Sequence, residues 1–247
     1  MFHILASNGQ NFLATAYVFG AMPTRKNRDP LWFLLGASVL TVALSYVPMA
    51  WIVVYPIRLF VTFIHEAGHA IAAMLTLGQV ERLHVFMDAS GETLTRGGFP
   101  LAIASAGYLT STAFGAALLV LGSHLQRAKA ALTASAGLIL VITAFLAGDW
   151  VTWVMGIVLA LGLVGIAIAS SQSFAHFFLS FLAVQCCLNA FLDLRTLFLL
   201  SATTSVHSDA ASMQQMTLIP ATVWAVSWMV ISLFALIFAL RSYVRHL

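Results

Sequence analysis

The sequence predicts an all-α polytopic membrane protein with about seven transmembrane helices and a short β-hairpin after the second span. Three observations carry this. Of the 247 residues, 61% are hydrophobic and only 8% charged, against about 25% charged in an ordinary soluble domain; so few charges cannot cover a water-soluble fold of this size. The apolar residues fall in runs of about 20, the length that crosses the hydrocarbon core of a bilayer. The polar residues gather in short breaks between these runs and in one longer stretch, Gln79 to Gly98. The net charge of +3 is small and its basic residues are scattered, so no nucleic-acid footprint is present and the expected surroundings are the lipid bilayer.

Residues 1–30 are mildly apolar but interrupted by Asn8, Gly9, Gln10 and Asn11 and closed by a basic flank. They lack the compact apolar core of a signal peptide and are expected to form an interfacial segment ahead of a single transmembrane domain, residues 31–247. The first span, about Leu31 to Tyr55, then serves as the uncleaved insertion signal. Pro56 is expected to stop it, because proline cannot continue a helix without losing a hydrogen bond. The second span covers about Ile57 to Leu77, with Gly78 as its C-cap. In Gln79 to Gly98, Val80, Leu83, Val85 and Met87 are interspersed with polar residues around Ala89-Ser90-Gly91. This pattern predicts a β-hairpin at the membrane surface. Five further spans are expected at about 99–121, 130–147, 151–170, 174–200 and 218–240, with a polar loop at 201–215. Seven spans put the termini on opposite sides, and the ten basic residues other than Arg195, which lies within a span, divide five and five, so they do not orient the chain. Cys186 and Cys187 are adjacent in an apolar run and read as buried thiols.

The chemistry lies in the second span, at His65-Glu66-Ala67-Gly68-His69. Two histidines four apart on a helix project from one face, where both imidazoles can reach one Zn2+. Catalytic zinc usually takes three protein ligands and keeps a fourth position open. Glu66 beside the first ligand is placed to act as the base, taking a proton from the attacking water and passing it to the leaving amine. Ionisable side chains inside a span are costly and mark functional sites. Ala67, Gly68 and Ala70 leave room for a neighbouring helix or a substrate strand.

The third ligand has to come from a distant segment. Among the later acidic residues only Asp193 lies within a span. His69 is about 12 Å from the hairpin end of its helix and Asp193 about 10 Å from the same side, at 1.5 Å per residue. These depths favour Asp193, with Asp209 in the following loop as the alternative. Asp149 reads as a turn residue. Asn189, one turn before Asp193, is a candidate for holding a substrate backbone. His84, His124, His176 and His207 have no partner at ligand spacing and read as surface or interfacial. Thr62, Thr76, Ser105, Thr110, Ser111 and Thr112 are candidates for a water path to mid-membrane depth.

His65-Glu66-Ala67-Gly68-His69-Ala70 in a span, followed by a polar hairpin with Gly91, resembles the site-2 protease family of intramembrane zinc metallopeptidases. Gly97-Gly98, Ala106-Gly107-Tyr108-Leu109, Asn189 to Asp193, Ser208-Asp209-Ala210, Pro220, Trp224 and Trp228 resemble its peptidase family fifty B-like branch. The resemblance covers about Ile57 to the C-terminus. It implies zinc held by two histidines and an aspartate, and hydrolysis of peptide bonds in membrane-protein substrates. The family's usual Leu-Asp-Gly is Leu192-Asp193-Leu194 in this chain. The polar stretches are too short for the PDZ domain that many members carry, so substrate selection through one is not expected. Two other functions remain open. One is a non-catalytic relative that binds or sorts membrane proteins, for which Glu66 would be unnecessary. The other is a transporter whose histidines and Asp193 line an ion path.

Overall fold

The computed structural model describes residues 29–45, 51–200 and 208–245; the side chains of residues 29–31, 41, 42, 45, 51, 53 and 189–200 lie outside the description. The expected interfacial segment falls almost wholly outside it. Helices α1 (Asp29–Ser45) and α2 (Trp51–Leu75) are followed by strands β1 (Gln79–Val85) and β2 (Gly91–Arg96). Then come α3 (Pro100–Gly122), α4 (Ala128–Leu146), α5 (Trp150–Ala169), α6 (Gln172–Leu200), α7 (Asp209–Thr217) and α8 (Ala221–Arg245).

The chain is an α-helical integral membrane protein. Four helical segments, Pro100–Gly122, Leu125–Leu146, Trp150–Ala169 and Ala221–Arg245, are long and apolar enough to cross a bilayer. They turn large apolar side chains outward, with Phe145 81%, Ile168 77% and Phe238 74% exposed. Such a surface suits lipid and not water. Helix α3 is the axis of the bundle, packing on α2, α6 and α8. Its small residues make this possible. At Gly115, for instance, an added Cβ would meet Cys187 Sγ at 2.7 Å. Small residues let membrane helices approach closely.

Three boundaries differ from the expected ones. Pro56 does not end a helix but lies inside α2. Its missing N–H would have bonded the Ile52 carbonyl, so the loss is confined to the first turns of the described helix. At the other end of α2 the left-handed residue is Leu77, at φ 63°, and not Gly78. Gly78 N–H donates to Ala73 O at 2.8 Å and Leu77 N–H to Met74 O at 3.2 Å, which together form a Schellman cap. The expected loop at 201–215 contains α7, which Ser208 caps by accepting from Ala211 N–H.

The hairpin is antiparallel, with a bulge between Val80 and Arg82. One extra residue shifts the two-residue period by one, which is why Val80 and Leu83 do not alternate cleanly. Leu83 and Val85 are fully buried. The hairpin does not lie apart at a surface; it runs back along α2. Thr76 Oγ1 accepts from Phe99 N–H at its base (2.9 Å), Thr62 Oγ1 donates to Ala89 O (2.7 Å), and Tyr55 Oη donates to Met87 O near the tip (2.8 Å). The outer edge of β1 meets the turn between α4 and α5, where Gly148 N–H donates to Leu83 O at 2.9 Å.

Candidate metal centre

Helix α2 presents His65, Glu66 and His69 toward three other elements. Helix α3 closes over the histidines with Gly107. A Cβ there would lie 2.3 Å from His65 Nε2 and 2.6 Å from His69 Nε2, so the absence of a side chain opens the space between the two nitrogens. The helices touch at Gly68 as well, where a Cβ would meet Ala106 O at 2.7 Å. Ile103 O, also on α3, accepts from His69 Nδ1 at 2.6 Å. A carbonyl can only accept, so Nδ1 carries the proton and Nε2 is left as the ligand atom. His65 Nδ1 is buried with no hydrogen-bond partner among the described residues.

The third element is α7. Its first residue, Asp209, places Oδ2 3.1 Å from His65 Nε2 and 3.4 Å from His69 Nε2. The carboxylate stands at a helix N-terminus, where negative charge is favoured. Ala210 and Met213 fix α7 against Tyr108, Ala225 and Trp228. Tyr108 in turn meets the His65 ring edge-on at a centroid distance of 4.7 Å and stacks on Trp228 at 5.1 Å.

One ligand atom from each of His65, His69 and Asp209 lies within 4.8 Å of the others. Ligands about 2.0–2.2 Å from a tetrahedral zinc stand about 3.3–3.6 Å apart, so the 3.4 Å separation suits that ion and the 3.1 Å one is slightly short of it. The donor set, two imidazoles and a carboxylate, also belongs to catalytic zinc chemistry.

The fourth element is the hairpin, which frames Glu66. Thr93 Oγ1 donates to Glu66 Oε2 at 2.7 Å, and a Cβ at Gly91 would lie 2.7 Å from Glu66 Oε1. Glu66 is only 5% exposed.

The profile described as Peptidase M50B-like matches residues 34–239, most of the chain. The chain belongs to the Peptidase M50B-like family. No curated protein and no solved structure matches it. In this M50B-like chain, segments with little individual signal meet around His65 and His69: Ala106-Gly107-Tyr108 and Ser208-Asp209-Ala210, with Trp228 behind Tyr108.

Of the candidate ligands, the structure brings His65, His69 and Asp209 together; the side chains of Asp193 and Asn189 lie outside the described residues, as does His207. Asp149 is more than a turn residue, since it caps α5 through Thr152 N–H and pairs with His84 Nδ1. His84 is therefore engaged, and His176 is fully buried with its Nε2 donating to Gly122 O, not interfacial. Thr62 and Thr76 tie the hairpin to α2, Ser105 bonds Leu101 O, and Thr112 bonds Ser232 Oγ. Sequence reasoning did not single out Thr93 or the Ile103 carbonyl. Thr93 had a signal, because it shares with Gly91 the face of a strand in an alternating segment. A backbone carbonyl has none.

Proposed function

We propose that this chain is an intramembrane zinc metallopeptidase that hydrolyses peptide bonds of membrane-protein substrates, set in a bundle of seven membrane-crossing helices. The observation that supports this most is the convergence of two imidazoles and a carboxylate from two remote helices, with a buried glutamate beside the first imidazole. His65, His69 and Asp209 would hold the zinc. Bound there, the ion supplies a Lewis acid that polarises a carbonyl and acidifies water. Glu66 accepts the proton of the attacking water as the C–O bond forms, then returns it to the amine as the C–N bond breaks. A base alone serves neither metal storage nor sorting, so Glu66 favours hydrolysis over a purely binding role.

A helical substrate must unwind first, because its own hydrogen bonds shield its peptide groups. The hairpin offers such a strand a place. The outer edge of β1 is taken by Ala147 and Gly148. The outer edge of β2 has no strand partner among the described residues, and it runs past Glu66. Main-chain pairing there would present an extended segment to the base.

The test is zinc content and cleavage by the purified protein in liposomes, using single-span membrane proteins as substrates. Wild type should carry about one zinc per chain, and Glu66→Gln should keep the metal but lose about 10²-fold or more in rate. Cleavage that survives both Glu66→Ala and His65→Ala would overturn the proposal. Zinc without hydrolysis of any membrane substrate would point to a non-catalytic binding partner, and ion flux to a transporter.

A further inference from the structure

We propose that Thr93, on strand β2, is a positioning residue that sets the carboxylate of Glu66 for proton transfer; this rests on the peptidase reading above. A glutamate on a helix can swing about three torsions, whereas a general base has to stay within hydrogen-bond reach of the proton it takes. Something has to remove that freedom. Thr93 Oγ1 lies 2.7 Å from Glu66 Oε2 and 3.2 Å from Glu66 O. A hydroxyl has one proton to donate, and the shorter contact, to the charged acceptor, is the stronger one.

Gly91 completes the arrangement. Residues 91 and 93 share a face of β2, and both turn toward α2. A Cβ at Gly91 would stand 2.7 Å from Glu66 Cγ, Glu66 Oε1 and Thr62 Cγ2. The strand therefore approaches the glutamate closely at one residue and donates to it at the next residue on the same face. With Oε2 engaged by Thr93, Oε1 carries the lone pairs left for the incoming proton.

The clamp is held from a distance. Thr62 Oγ1 donates to Ala89 O two residues before Gly91, and Phe99 N–H donates to Thr76 Oγ1 beyond the end of β2. On the far side, β1 is pinned to α5, where Val85 N–H donates to Thr152 Oγ1 at 2.9 Å. Thr93 touches none of His65, His69 and Asp209 by hydrogen bond, so its removal should spare the metal. A substrate strand on the outer edge of β2 would dock on the same strand that holds the base.

The experiment compares wild type, Thr93→Val, Thr93→Ser and Glu66→Gln as zinc-loaded full chains in detergent. The probe is a single-span peptide with a helix-breaking centre and a fluorophore–quencher pair. Thr93→Val keeps the shape and β-branching and removes only the hydroxyl. It should lower kcat ten- to a hundredfold, leave KM within twofold and leave zinc content unchanged, and Thr93→Ser should recover kcat to within threefold. Infrared difference spectra against Glu66→Gln isolate the Glu66 carboxylate stretch without turnover. That band should move in Thr93→Val and return in Thr93→Ser, in zinc-loaded and chelated protein alike. An active wild type with an unmoved band and unchanged kcat in Thr93→Val overturns the positioning role alone. A wild type that cleaves nothing contradicts the peptidase reading, whatever the band does.

Discussion

In the proposed zinc site, a single methyl group at position 107 should displace the metal. In Gly107→Ala the new Cβ would stand 2.3 Å from His65 Nε2 and 2.6 Å from His69 Nε2. Non-bonded heavy atoms rest at about 3.5–4.0 Å, so each imidazole would have to retreat by about 1 Å. Metal–ligand distances tolerate only about 0.2 Å. Relief by moving α3 away is resisted at Gly68, where α2 and α3 already touch through Ala106 O and Thr110. Disturbing outer partners of a ligand costs about 10–100-fold in metal affinity. Displacing two ligands at once should cost more than a hundredfold, which is about 2.7 kcal/mol. Chelator competition followed by metal analysis reads this directly, with circular dichroism to show that the helices remain. Gly162→Ala is the control, since a Cβ there meets nothing within 4 Å. A Gly107→Ala protein that holds zinc as tightly as wild type would refute the placement of α3 over the histidines.

Two other perturbations separate the proposed base from the proposed metal, and the hairpin from both. Gly91→Ala puts a methyl carbon against the Glu66 carboxylate, so cleavage should fall at least tenfold while metal analysis finds zinc retained. Asp149 anchors the hairpin through His84 and caps α5. Partial burial works to raise its carboxyl, but the Thr152 N–H and His84 outweigh that and hold it below the usual range. A depressed carboxylate contributes stability above its unfolded pKa of about 3.9, which is lost as pH falls through the folded value. Amide exchange at Thr152 should therefore quicken as pH drops below about 4 once corrected for intrinsic rates. In Asp149→Ala the protection should already be lost at neutral pH.

The local parts of this molecule were legible in its sequence, and the distant ones less so. His65, Glu66 and His69 could be read because one helical turn brings them together whatever the rest of the chain does. The hairpin could be read from its alternation, but the bulge at Glu81 disturbed the phase, and no pattern in 79–98 says that the hairpin folds back along α2. Pro56 misled because its cost depends on where in the helix it falls. Asp209 was harder. Its partner His65 is 144 positions away, and a place within a span together with a depth matching His69 favours Asp193 over an aspartate in a polar loop. The clue was Ser208-Asp209 ahead of a short helical segment, a start signal that fixes a carboxylate at a helix N-terminus. Gly107 shows the same limit, since a glycine among the small residues of α3 reads as packing until the histidines are seen against it.

The most direct test of the centre is zinc stoichiometry in Asp209→Asn and Asp193→Asn, measured beside wild type. With Asp209 as the third ligand, as proposed, wild type and Asp193→Asn should each carry about one zinc per chain, and Asp209→Asn should lose the metal. Zinc kept in Asp209→Asn and lost in Asp193→Asn would contradict this assignment.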